Sequence, residues 1–178
     1  MASPPPLSEV AMTTLLWEAA VMTLVIGLVN LGAGKEKINL KDYGVIILSG
    51  AIMETLALGY VIADRNVFAA TIAAAFVLLL WILGVSLTIG GTNLYLANHA
   101  LWFTGILFAA FSTFTGIELH LIFLTTALGL LVPVTVCGAI HGYTGNEACA
   151  KIAGITSFID GFVFMTMAFA GAIGVVLP

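Results

Sequence analysis

Residues Phe68–Ile89 read FAATIAAAFVLLLWILGVSLTI, without one charged side chain. A helix crossing a hydrocarbon core about 30 Å thick needs roughly 20 mostly apolar residues, and this run supplies them. The run is continuous, with no alternation of polar and apolar positions. That predicts a membrane-spanning helix and argues against a barrel strand. Outward from it the same reading gives five further spans: Met12–Leu31, Tyr43–Ala63, Ala97–Thr115, Glu118–Ile140 and Cys149–Val176. The links carry turn residues: Gly32-Ala33-Gly34, Asp64-Arg65-Asn66, Gly90-Gly91-Thr92-Asn93 and Gly142-Tyr143-Thr144-Gly145-Asn146. Spans four and five meet near Gly116 with almost no loop, so a tight hairpin is expected there. The expected fold is all-α: one polytopic domain over residues 1–178, with six transmembrane helices in a compact bundle.

Composition agrees. Of 178 residues, 61% are hydrophobic and 8% charged, and the mean hydropathy is +1.17. Soluble domains carry about 25% charged residues, so this chain cannot coat a water-facing surface. The expected partner is the lipid bilayer. A net charge of −4 gives no basic footprint for nucleic acid. Ser3-Pro4-Pro5-Pro6-Leu7 precedes the first span without a Lys or Arg, unlike a signal peptide. Lys35, Lys37, Lys41 and Lys151 fall on one side of the predicted topology and Arg65 on the other. Basic residues favour the cytoplasmic side, which predicts both termini outside, in the plasma membrane.

Ionisable groups at membrane depth are costly and are kept mainly where they face protein or water. Glu54 lies near the middle of span two, Asp160 well inside span six and Glu18 within span one. No basic residue sits deep in any span to pair with Glu54 or Asp160. Each is uncharged, hydrogen-bonded to its neighbours, or exposed to a water-filled path. Glu118, His120 and His99 fall at span starts and read as interfacial. Gly50, Gly59, Gly105, Gly129, Gly154, Gly161, Gly171 and Gly174 suit close helix packing, a narrow pore or an oligomer contact. Pro133 is expected to bend span five, simply or beside a solute site. Trp17, Trp81, Trp102 and Tyr95 fit interfacial belts. Cys137 and Cys149 read as isolated, inert thiols. No phosphate-binding, zinc-protease or nucleophile-elbow motif occurs, so neither catalysis, cofactor nor metal is expected.

Gly50, Glu54, Asn66, Phe68, Thr71 and Phe76 form one ungapped series. It resembles the acetate uptake transporter (acetate–succinate permease) family, whose pattern has a Gln where Glu54 stands and a Tyr where Phe76 stands. Thr144-Gly145-Asn146, with Gly154 and Gly161, is similar to the start of that family's last span. Leu131 falls where the family keeps a Leu at the narrow part of its pathway. Ser3-Pro4-Pro5-Pro6-Leu7-Ser8-Glu9, followed by Met12-Thr13-Thr14, resembles its N-terminal signature in altered form. The resemblance implies a homohexameric ring with a separate pathway through each protomer, passing acetate or succinate with or without a proton. The expected mechanism is a narrow apolar constriction including Phe76 and Leu131, flanked by polar groups such as Glu54 and Asn66. Asp160 is a further pathway candidate because of its depth. Asp160-Gly161 also looks like the Glu-Gly of the urea and amide channel family, which implies a small neutral solute such as urea, a short amide or ammonia. A third expectation, from the near-absence of extramembrane sequence, is an accessory subunit of a larger membrane complex.

Overall fold

The computed structural model describes residues 7–33, 39–90 and 93–178. Six α-helices fill the described residues: α1 Leu7–Asn30, α2 Leu40–Ala63, α3 Val67–Ile89, α4 Asn93–Ile117, α5 Ile122–Thr144 and α6 Glu147–Ala172. All six are long and apolar enough to cross a membrane. Lys35, Lys37, Gly34, Gly91, Thr92 and the Ser3–Pro6 stretch lie outside the described residues.

The predicted spans match these helices, with shifted ends. Helix α1 begins at Leu7, before Met12, because Glu9 in its first turn complements the helix dipole although it is not apolar. Helix α5 begins at Ile122, so Glu118 and His120 belong to a four-residue link and not to span five. His120 has φ 54°, a left-handed turn that separates α4 from α5, and Gly116 lies inside α4. Helix α6 stops at Ala172, short of Val176. Gly174 has φ 71°, and Val175 N–H donates to Ala170 O at 2.8 Å while Gly174 N–H donates to Gly171 O at 3.2 Å. Those two bonds satisfy the last carbonyls and end the helix regardless of how apolar the next residues are. Side-chain caps start α2, α3 and α6, at Asn39, Asn66 and Asn146.

Each helix packs chiefly on its neighbours in sequence, and α6 closes on α1. The bundle is therefore a cylinder of six helices with its interior along the axis. Small residues set the seams. A Cβ on Gly27 would stand 2.7 Å from the backbone nitrogen of Phe158, and one on Gly44 would stand 2.6 Å from that of Thr88. The α1–α6 seam is also tied by Ser157 Oγ donating to Thr23 O at 2.7 Å. Of the glycines expected at contacts, Gly50, Gly105, Gly129, Gly154, Gly161 and Gly171 sit against a neighbouring helix, whereas Gly59 and Gly174 face open space. Trp81 Nε1 donates to Thr55 Oγ1 at 2.9 Å across α2–α3, so this indole is satisfied within the bundle. The outer face is studded with exposed Leu, Ile, Val and Phe, as a lipid-facing surface requires.

Candidate functional site: a blind cavity on the cylinder axis

A cavity of about 750 Å³ occupies one half of the cylinder. It reaches from the end where α1, α3 and α5 finish down to Phe76, Leu80 and Leu131. Its mouth includes Asn98, His141, Glu147 and Lys151. That volume is typical of small-molecule sites.

The floor is aromatic. Phe76 on α3 lies with its ring centroid 6.3 Å from Phe108 on α4 and 6.2 Å from Phe164 on α6. All three rings are buried, as are Leu128 and Leu131 on α5. The Phe108 and Phe164 rings are each tilted by 50° to that of Phe76 at contact distance. This apolar layer separates the cavity from the other half of the bundle. Pro133 follows Leu131 closely on α5, so the backbone bond it lacks falls at the level of this layer.

Depth can be read from the helix ends. Phe76 is 13 residues from Ile89, Leu131 is 13 from Thr144, Asp160 is 13 from Glu147 and Glu54 is 14 from Leu40. At 1.5 Å per residue all four lie about 20 Å from the same end. The structure thus brings Phe76, Leu131, Glu54 and Asp160 to one level. Asn66 is elsewhere: it caps α3 at the opposite end, exposed, accepting from Ala69 N–H at 3.1 Å.

Glu54 and Asp160 are 1% and 0% exposed. Glu54 Oε1 and both oxygens of Asp160 have no hydrogen-bond partner. Neither is on the cavity wall as such, but each continues a wall stripe. Tyr43 and Ile47 line the cavity on α2 above Glu54, and Ala153 and Ser157 do so on α6 above Asp160. The carboxyl of Glu54 has that of Glu18 as its electrostatic neighbour across α1–α2. An ionised carboxylate without a partner is costly in such surroundings, so both positions suit an uncharged carboxyl.

Three hydroxyls on the wall escaped the sequence reading. Thr23 Oγ1 donates to Ala19 O at 2.7 Å, Thr135 Oγ1 to Leu131 O at 2.9 Å, and Ser157 Oγ to Thr23 O. Their hydrogens are committed to backbone carbonyls. Phe108 and Phe164 were also not singled out. Nothing in one sequence separates them from the other phenylalanines until the helices are in register. Cys137 and Cys149, read as isolated, are free thiols that neighbour each other electrostatically between α5 and α6. Among the described residues no cluster of His, Cys, Asp and Glu is arranged to hold a metal ion. No protein-family model, curated protein or solved structure matches the chain.

Proposed function

We propose that the protein is a membrane transporter or channel that passes a small solute along the axis of each protomer. One observation carries the reading: six spans close a cylinder around a cavity that ends on the Phe76–Leu131 layer. An apolar layer gates by stripping water from whatever crosses it, and nearby polar groups decide which solute recovers the loss. The first solute class is a small carboxylate such as acetate, supported by the spacing from Gly50 to Phe76 and by Leu131. The proposed assembly is a homohexameric ring in the plasma membrane with both termini outside. Purified protein in liposomes should take up labelled acetate faster than empty vesicles, and equal uptake would defeat this solute class.

A neutral solute, such as urea or a short amide, is the second reading. It is favoured by Glu54 and Asp160, which place two carboxyls and no base at the level of the layer. Swelling of proteoliposomes in urea tests it, with control-like swelling as the adverse result.

A further inference from the structure

Asp160 has a feature that the transport reading leaves unused. It is fully buried, and Oδ1 and Oδ2 are both unpartnered. At about 100° per residue, Ala153, Ser157, Asp160 and Phe164 share one sector of α6 about 60° wide. Ala153 and Ser157 line the cavity, and Phe164 meets Phe76 in the floor. Asp160 lies between them, one turn deeper than Ser157. Gly154 and Gly161 carry the contact with α1 on the other flank of this sector, so the carboxyl of Asp160 is turned to the bundle interior.

The hydroxyls of the cavity wall do not serve it, since those of Thr23, Thr135 and Ser157 donate to backbone carbonyls. An uncharged carboxyl offers an O–H donor on one oxygen and an acceptor on the other. In apolar surroundings, two groups with this pattern close into a cyclic pair held by two hydrogen bonds. A carboxylic acid has the pattern, and so does a primary amide.

We propose that Asp160 is the recognition group for the solute, pairing through both oxygens with the carboxylic acid or primary amide of a small molecule as it crosses the Phe76–Leu131 layer, just beyond the end of the cavity. The inference rests on the transport reading and sharpens it: the species recognised is an uncharged acid or amide. A free carboxylate has no donor to return and would bring an unpaired charge to this depth. Glu54 is the weaker candidate, because its carboxyl has that of Glu18 as its electrostatic neighbour.

The test compares acetamide, which can pair at two points, with dimethyl sulfoxide, of equal heavy-atom count but without a donor. Rates are measured by stopped-flow light scattering on proteoliposomes, with empty-vesicle rates subtracted. Wild type and Asp160→Asn should prefer acetamide by at least about tenfold, because both present a donor and an acceptor. Asp160→Leu should lose that preference. If Asp160→Leu does not elute as the wild-type particle, Asp160→Ser decides, since one hydroxyl cannot close the pair and should lose most of the preference. Retention of the preference in the Leu or Ser variant overturns the proposal. So does an Asn variant as unselective as Leu, which would make charge the operative property. Wild type that passes labelled acetate but not acetamide overturns it while leaving transport intact. Wild type that passes neither defeats the transport reading itself.

Discussion

Leu131 sits on the cavity floor at 2% exposure, with Phe76 of α3 in the same layer. Shortening it removes bulk from the narrowest layer without touching a polar group. Leu131→Ala should therefore admit longer carboxylates or amides, with propionamide flux rising about tenfold, the scale that a few methylenes command in a shaped pocket. Unchanged selectivity in a flux assay would remove Leu131 from the pathway. Phe76 and Leu131 could be nominated from sequence only through a resemblance in spacing. Glu54 and Asp160 stood out because charge is scarce at that depth. Asn66 stands apart from them: an Asn before an apolar run is also what a helix cap looks like, and it caps α3 at the end away from the cavity. Thr23, Thr135 and Ser157 were invisible because hydroxyls bonding back to their own or a neighbouring helix occur on any face of a span.

Between helices, the small residues make separable claims. A side chain at Gly27 would collide with the backbone of Phe158, which has no flexible end to move aside. Gly27→Val should lower stability by about 1–3 kcal/mol, the usual cost of overpacking a tight contact. Gly59→Val, with nothing within 4 Å, should leave stability nearly unchanged. Thermal midpoints in one mild detergent compare the two directly, and equal midpoints would contradict the seam. On the α5–α6 seam, the free thiols of Cys137 and Cys149 are electrostatic neighbours. Diamide, as oxidant, should consume both thiols together without covalent dimers. Loss of one thiol alone would place them apart. Helix existence was legible from hydropathy, since each span is a long apolar run. Helix ends were less so, because His120 and Gly174 act through backbone φ, which hydropathy does not register.

For the whole molecule, the exposed apolar girdle and the axial cavity fit a subunit that carries its own pathway. Native mass spectrometry from detergent should give one species of six 18.6 kDa chains. A monodisperse particle of another copy number would correct the proposed ring without moving the pathway. Co-purification of a second polypeptide in fixed ratio would favour an accessory subunit instead.

The order of the cylinder has a consequence for how the protein is made. Five seams join helices consecutive in the chain, and the sixth joins the first helix to the last. During synthesis the spans emerge one after another, so the wall grows as a curved palisade with a gap. Only the docking of α6 on α1 shuts it. Until translation is finished there is no enclosed lumen, and a half-made chain presents a trough to lipid, with no conducting hole for ions. A ribosome stalled before Glu147 would therefore leave the membrane sealed.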